Sequence, residues 1–335
     1  MTSRPGNPVA NMLPKPESPL SATSAHLATA WNRLPASYRI PEQAPSVEEA
    51  RRWCERLARS HYENFSVASW FLPKHLQQHF FNVYSYCRVS DDLGDEVGDT
   101  RAALLLLDRW EQELTACYLH LDSASGMPGG PTHPVFIALR DTIREFGIPQ
   151  QEFADLLTAF RQDQIVSRYR TFEDLLAYCR NSANPVGHLV LYLAGYSDTE
   201  RQQLSDYTCT ALQLANFWQD VSVDHEKGRI YLPLEDLSRF GVIEDDIAAT
   251  RPTAAFREMM RFEVGRARDW FQRGLPLVGK VNRGLAIDLE LFTRGGQEIL
   301  NAIQKQDFDV LSRRPVISKP RKLWLVARAV VGKVR

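Results

Sequence analysis

Apolar residues recur along most of this chain at spacings of three and four residues, a period typical of amphipathic helices. No stretch between turns alternates apolar and polar residues as a half-buried strand does. Predicted helices begin at Ser46, after Pro149 and at Thr171, and the helix that carries Arg88 follows Pro73. Others cover about 100–120, 199–224, 235–248, 252–274, 280–305 and 319–333. Because no internal repeat of about 20–50 residues occurs, the pattern predicts a single all-α helical bundle.

The two ends of the chain differ from this helical region. Residues 1–45 are rich in Pro, Ser, Ala and Thr, with prolines that break any continuous helix, and they predict a mostly disordered leader. Residues 46–318 form the predicted helical domain. Residues 319–335 carry six Lys and Arg and no acid, which predicts a basic helix. This helix either lies on an anionic membrane surface or packs its apolar residues into the bundle.

Composition narrows the class of protein. With 335 residues, 44% of them apolar, and a formal net charge of −1, the chain has a soluble globular composition and gives no general case for binding nucleic acid. Its five cysteines include no C-x-x-C pair, which predicts reduced thiols. No run approaches about 18 apolar residues, and no secretory signal is evident. We therefore expect a cytoplasmic protein, with any membrane association peripheral, at the inner face of the cell membrane.

An acidic cluster follows Arg88, directly behind a strongly apolar run. It consists of Asp91, Asp92, Asp95 and Glu96, and helical geometry places Asp91 and Asp95 on one face. Like charges at this spacing destabilise a helix, so something must compensate them. Mg²⁺ bridging to substrate phosphates would do so, because this ion prefers oxygen ligands. The alternative is a solvated acidic face at a helix end.

A second cluster lies on the helix predicted to end near Asp224. Asn216, Asp220 and Asp224 repeat every four residues and so form one oxygen-bearing stripe in apolar surroundings. Two such stripes facing each other across a bundle would hold two or three Mg²⁺ ions with a diphosphate between them. Lys227 and Arg229 follow in a loop, where their side chains would meet the phosphate.

The helix that begins at Thr171 reaches Asn184-Pro185 and is predicted to kink there, because proline lacks a backbone N–H and clashes with the preceding turn. A kink inside an apolar helix frees backbone carbonyls that packing or a ligand must satisfy. The kink is therefore either an edge of a substrate pocket or a plain structural bend.

Several motifs together resemble the squalene/phytoene synthase family over residues 47–315. The matching segments are His61–Phe65, Tyr84–Asp95, Tyr178-Cys179 with Val186-Gly187, Gln213–Asp224 and Gly228–Pro233. Two of these segments are aspartate-rich, in the family's order and about 125 residues apart. The resemblance implies a bundle of the isoprenoid-synthase type with a central apolar cavity. It also implies Mg²⁺, farnesyl-derived diphosphate substrates and carbocation chemistry.

The resemblance also implies roles for residues at the motif positions. The Mg²⁺ ligands would be Asp91, Asp92, Asp95, Asn216, Asp220 and Asp224. The catalytic residues would be Asp91, Asp95, Tyr178, Asp220 and Asp224. The substrate would be bound by His61, Phe65, Arg88, Gln213, Asn216, Lys227, Arg229 and Tyr231.

Two departures from the family pattern favour one of its branches. Gln219 stands where many relatives carry Arg, and Asn184-Pro185 lies where condensing members usually carry a small Ala-Gly pair. These features resemble the bacterial hydroxysqualene synthase branch, which ionises presqualene diphosphate, lets the cation rearrange and adds water in squalene and hopanoid biosynthesis. No nicotinamide cofactor is then expected, sister pathway enzymes would be partners, and Gln219 is a candidate for positioning the water.

Three alternatives stay open at this level. The chain could condense two farnesyl diphosphates head-to-head to presqualene diphosphate or squalene. The absence of G-x-G-x-x-G does not exclude squalene formation, because squalene synthases lack that motif too. The chain could instead be a non-catalytic helical partner of a sister synthase, or a helical Mg²⁺ phosphohydrolase, although the His-Asp ligand pairs typical of many such enzymes are not evident.

Overall fold

The structure, a computed structural model, describes residues 31–60, 73–123 and 127–318. Within these ranges the chain is all-α, as predicted, and only an isolated parallel bridge between Arg168 and Ile230 has β geometry. The first helices are α1 (Val47–Ser60), α2 (Lys74–Asp95), α3 (Thr100–Leu119), α4 (Pro134–Phe146), α5 (Gln150–Gln162) and α6 (Phe172–Ser182). The later helices are α7 (Asn184–Leu193), α8 (Thr199–Gln219), α9 (Val221–Glu226), α10 (Leu234–Phe240), α11 (Glu244–Ala248), α12 (Ala254–Gly274) and α13 (Arg283–Lys305).

Two central helices organise the core. Helix α2 packs against α1, α3, α4 and α5, and its Tyr86 ring lies 4.8 Å from the ring of Phe153 and 6.3 Å from that of Trp110. Helix α8 packs against α6, α12 and α13 in a second apolar cluster that contains the fully buried Trp218 and Phe271. Helix α7 contacts both central helices. Because α2 and α8 are each surrounded by neighbours, their C-terminal ends are held in defined positions.

The predicted kink is present. Helix α6 ends and α7 begins at Asn184-Pro185, and Ala183 between them has φ −119° and ψ −46°. Val186 and Gly187, at the start of α7, line an apolar cavity. The start of α7 thus borders a cavity, and the use of the kink as an edge of the substrate pocket stays a prediction.

This cavity has a volume of about 580 Å³ and lies among α2, α7, α8 and α13. Its lining is mostly aliphatic and aromatic, with contributions from Phe80, Val190, Leu212 and Leu289. Pockets of this size and apolar character are typical of small-molecule sites. The predicted central apolar cavity is confirmed.

The predicted leader boundary at residue 45 is wrong. Leu34 is 6% exposed, and Tyr38, in a short 3-10 helix (Ala36–Tyr38), is 1% exposed. Arg33 Nη1 donates to the carbonyl of Val97 at 2.6 Å, which also fastens this segment. A few apolar side chains thus bury enough surface to outweigh the proline-rich composition.

Residues 1–30 and 319–335 lie outside the described residues, so the disordered start and the basic C-terminal helix stay predictions. Among the described helices, none combines the length and the apolar character needed to cross a membrane.

A charged network fastens α7 to its neighbours. His188 Nδ1 lies 2.9 Å from Glu152 of α5, and His188 Nε2 lies 2.7 Å from Asp206 of α8. Burial alone would lower the pKa of His188, but hydrogen bonds and charge from the two carboxylates raise it from 6.5 to about 9. Because the folded-state pKa is the higher one, the stabilisation is full below the unfolded value and is lost as pH rises through about 9.

Replacing His188 with Gln should lower the free energy of unfolding by roughly 2–3 kcal/mol at pH 6, and by much less at pH 10. The reason is that the imidazolium bridges two carboxylates only while it is protonated. Urea unfolding of both proteins at the two pH values measures this difference. An equal loss at both pH values would mean that the histidine contributes through packing alone.

Candidate active site

The first acidic cluster lies at the C-terminal end of α2, as predicted. Burial and the nearby charge of Asp95 raise the pKa of Asp91 to about 6. At Gly94 this end of α2 lies beside α5, where an added Cβ would make an ordinary contact with Phe160 Cβ at 3.5 Å. The Gly94 carbonyl also accepts a hydrogen bond from Gln164 at 2.9 Å. The Asp91 side chain is nevertheless 49% exposed, so a solvated acidic face stays open as the alternative.

Asp92 does not join this cluster, although it was predicted to be a metal ligand. Its side chain is 4% exposed, accepts a hydrogen bond from the Tyr38 hydroxyl at 2.7 Å and pairs with Arg88. Arg88, predicted to bind phosphate, is therefore engaged by Asp92, and its Nη1 lies 3.8 Å from Asp91. Helical spacing could not reveal this contact, because Tyr38 is 54 residues away in sequence.

The second cluster lies where α8 ends. Helix α8 stops at Gln219, Asp220 has φ −107° and ψ 14°, and α9 follows, so the helix predicted to run unbroken to Asp224 is interrupted. Asp224 N still donates to the Asp220 carbonyl at 2.8 Å, which keeps these two residues one turn apart. Burial and the charge of Asp220 raise the pKa of Asp224 to about 7. Asn216 is exposed on the last turn of α8, and Gln213 is partly buried on the turn before it.

A segment after α13 covers this cluster, and nothing in the sequence predicted it. Arg314 binds the carboxylate of Asp220 through Nε and Nη2, the second contact measuring 3.1 Å. Gln219 is 7% exposed, and its Nε2 donates to the Pro315 carbonyl at 2.6 Å. The side chain of Gln219 thus anchors this segment. Its amide nitrogen is engaged by Pro315, whereas the sequence had made Gln219 a candidate for positioning the water.

Two cationic side chains connect the clusters. Arg229 Nη1 and Nη2 each lie 3.1 Å from Asp95 Oδ1, and Lys227 Nζ lies 3.6 Å from Asp95 Oδ2. Asp95 ends α2, whereas both cations follow α9, so the two acidic regions meet at one site. The predicted proximity of this loop to the acids is confirmed, and its binding of phosphate stays a prediction.

Asp163 is a site residue that the sequence interpretation missed. It directly follows α5, its Oδ2 accepts from the Tyr178 hydroxyl at 2.8 Å, and its Oδ1 accepts from the Tyr231 hydroxyl at 3.4 Å. Burial raises the pKa of Asp163 to about 6, although these hydrogen bonds oppose the shift. Its backbone carbonyl also accepts from Arg229 at 3.4 Å. The only sequence signal was an acid at the end of an amphipathic helix, which is common on protein surfaces.

Stacked aromatic rings form a wall beside Asp163. The ring of Tyr231 stacks on Phe217 with centroids 4.0 Å apart and planes 9° apart. Tyr169 stacks on Tyr231 at 5.7 Å, and Tyr178 lies 5.8 Å from Tyr231. Aromatic faces carry negative potential that attracts cations. The structure therefore brings the predicted Tyr178 and Tyr231 together, whereas the predicted His61 and Phe65 lie outside the described residues.

The donor atoms show how these residues suit Mg²⁺. Within the described ranges, no three acidic, His or Cys side chains converge closely enough to hold a metal ion by themselves. Asp95 is drawn to Arg229 and Lys227, and Asp220 to Arg314. Mg²⁺ usually takes only one or two carboxylates, together with substrate phosphates and waters. The carboxylate and amide oxygens of the two clusters therefore fit an ion that binds together with a diphosphate.

Comparisons with known proteins identify relatives in sequence and in fold. A family model described as squalene/phytoene synthase matches residues 58–321. The crystal structure of squalene synthase HpnC from Alicyclobacillus acidocaldarius is 44% identical in sequence, with a TM-score of 0.72 over 84% of this chain and 99% of that chain. The 15-cis-phytoene synthase of Synechocystis sp. is 28% identical over 96% of this chain and 100% of its own length. A dehydrosqualene synthase with a bound ligand shares the fold, with a TM-score of 0.74 and 24% identity over 85% of this chain and 97% of that chain. Because the family model matches most of its length, the chain belongs to the squalene/phytoene synthase family.

Proposed function

We propose that this protein converts presqualene diphosphate to hydroxysqualene in a Mg²⁺-dependent step of squalene and hopanoid biosynthesis. The observation that carries the proposal is the contact of Arg229, in the loop after α9, with Asp95 at the end of α2, close to an aromatic wall. An apolar cavity lies among α2, α7, α8 and α13 of the same bundle. The 44% identity to squalene synthase HpnC supports the squalene branch of the family.

Departure of the diphosphate separates charge, which an apolar cavity alone would strongly oppose. When bound, Mg²⁺ supplies Lewis-acid stabilisation of the leaving phosphate oxygens. The residues that would hold it are Asp91, Asp95, Asn216, Asp220 and Asp224. Lys227 and Arg229 would turn their donors from Asp95 to the phosphate, the guanidinium in bidentate fashion.

The carbocation that remains requires a dry site with fixed negative potential. Asp163 holds the hydroxyls of Tyr178 and Tyr231, which fixes both rings with their planes tilted by 34°. These faces would stabilise the cation while it rearranges. The apolar lining of the cavity among α2, α7, α8 and α13 would exclude bulk water from the prenyl chains, so that addition of water stays limited to one molecule.

A second candidate is head-to-head condensation of two prenyl diphosphates. The phytoene synthases that match most of this chain favour it, since the Synechocystis sp. enzyme aligns over its whole length. Condensation would use the same acids and cations, because it also begins with loss of diphosphate.

Incubation of the purified protein with Mg²⁺ distinguishes these functions. Presqualene diphosphate and farnesyl diphosphate are supplied separately, without NADPH, and the products are identified by mass spectrometry. We expect hydroxysqualene from presqualene diphosphate, with farnesyl diphosphate unconsumed. Presqualene diphosphate formed from farnesyl diphosphate would establish condensation instead, and no turnover of either substrate would favour a non-catalytic partner.

A further inference from the structure

Asp288 is a buried carboxyl for which the described residues provide no hydrogen-bond partner. It lies on α13, is 4% exposed and lines the apolar cavity, and its Oδ1 has no partner. Burial raises the pKa of Asp288 to about 8, so that it is mostly protonated at neutral pH. Buried polar side chains in native proteins are nearly always hydrogen-bonded, and an exception points to a function or a ligand.

Other buried polar side chains on the cavity wall have local partners. The Thr208 hydroxyl donates to a backbone carbonyl one turn earlier at 3.5 Å. The Ser205 hydroxyl lies 3.8 Å from the sulfur of Cys209. Asp288 therefore differs from these neighbours, because its hydrogen bonding depends on what fills the cavity.

The register of α8 and α13 places Asp288 far from the acids. The two helices run parallel, since Lys280 forms a 2.8 Å salt bridge with the first turn of α8, and a Cβ on Gly296 would lie 2.9 Å from Leu212. Asp288 is eight residues before Gly296, and Asp220 is eight residues after Leu212. At 1.5 Å per residue, the carboxyl lies about 24 Å from the acidic end along the helix axes.

A prenyl chain whose diphosphate is held at the acids would therefore extend its far end toward Asp288. A chain that stops short leaves room for water to hydrogen-bond the carboxyl. A longer chain displaces this water and covers the carboxyl with apolar surface, which leaves a buried polar group unsatisfied. Longer prenyl chains are therefore disfavoured because they leave the Asp288 carboxyl without a hydrogen bond, and not because the cavity is too small for them.

We propose that Asp288 is a specificity-determining residue that limits the length of the prenyl chain accepted by the cavity, so that 15-carbon chains are preferred to 20-carbon chains. This inference rests on the proposed function, because it takes an isoprenoid diphosphate as the ligand. It goes further by naming the residue that selects among such ligands.

Binding of unreactive thiolodiphosphate analogues with 15-carbon and 20-carbon prenyl chains, measured by calorimetry with Mg²⁺, tests the proposal without turnover. Asp288→Leu keeps the branched shape of the side chain but has no polar atom, so it should tighten binding of the 20-carbon analogue about tenfold, or about 1.4 kcal/mol. Its affinity for the 15-carbon analogue should change little. Asp288→Asn keeps a polar group and should retain the wild-type preference. Asp269→Leu makes the same change at an exposed position of α12 outside the cavity lining, so it is the matched control and should also retain the preference.

Asp288→Leu should also raise the thermal midpoint of unfolding, because an unpartnered carboxyl no longer has to be buried. If this variant fails to fold, Asp288→Ala replaces it. This variant should also bind the 20-carbon analogue more tightly relative to the 15-carbon analogue. If a folded variant without the carboxyl kept the wild-type ratio of affinities for the two analogues, the inference would be overturned, and the proposed function would be unaffected. Binding of neither analogue by the wild type would also overturn the inference, whereas the proposed function would fail only if presqualene diphosphate were not converted.

Discussion

Replacement of Asp224 with Asn is expected to lower kcat/KM for the isoprenoid diphosphate by roughly 10³-fold, as happens when a preorganised electrostatic group is removed from an active site. Asp224 lies one turn beyond Asp220, and burial and that neighbouring charge raise its pKa to about 7. Lys227 and Arg229 partly oppose this shift, and a bound metal ion would stabilise the negative charge further. The amide would therefore lose interactions with the ion. Steady-state kinetics over a range of Mg²⁺ concentrations measures the loss.

Glu226→Gln is the matched control for this substitution. Glu226 is exposed on the same short helix α9, two residues further along the chain. Its neutralisation removes the same charge from the same helix and should leave kcat/KM within about twofold, because surface substitutions rarely exceed about 0.5 kcal/mol. Similar losses for both variants would show that helix α9 as a whole, and not the Asp224 carboxylate, is required.

Replacement of Arg229 with Gln is expected to lower kcat/KM by roughly 10²-fold, the scale of losing one charged donor to a leaving phosphate. The guanidinium contacts the Asp95 carboxylate and the Asp163 carbonyl, so it joins the ends of α2 and α5 to the loop after α9. Arg229→Lys keeps the charge but loses the planar fork, and an intermediate loss is expected. Product formation at saturating and at low substrate concentration separates effects on kcat from effects on KM.

Arg251→Gln provides the comparison for Arg229. Arg251 pairs with Asp246 at 3.0 Å and is 60% exposed, so its substitution should change neither kinetic constant. Full activity of Arg229→Gln in folded protein would show that the guanidinium only balances Asp95 and takes no part in binding phosphate.

The corrections at the site share one cause. Asp91 and Asp92 are neighbours in sequence with the same chemistry, yet only Asp91 faces the acidic site, because Tyr38 and Arg88 take up the Asp92 carboxylate. Helical spacing assigns residues to faces of one helix, but it does not say which segment covers each face. The partners that decide this come from distant parts of the chain.

The sequence by itself determined the all-α class, most helix positions, the kink at Asn184-Pro185 and the two acidic clusters. These features are local, because the spacing of apolar residues, the missing N–H of proline and the four-residue repeat of acids act within a few turns. The tertiary structure alone decided the pairing of Arg314 with Asp220, the tyrosine contacts of Asp163 and the unpartnered state of Asp288 in the cavity. These contacts join residues from different helices and loops, and only the packing of the whole bundle determines which of them meet.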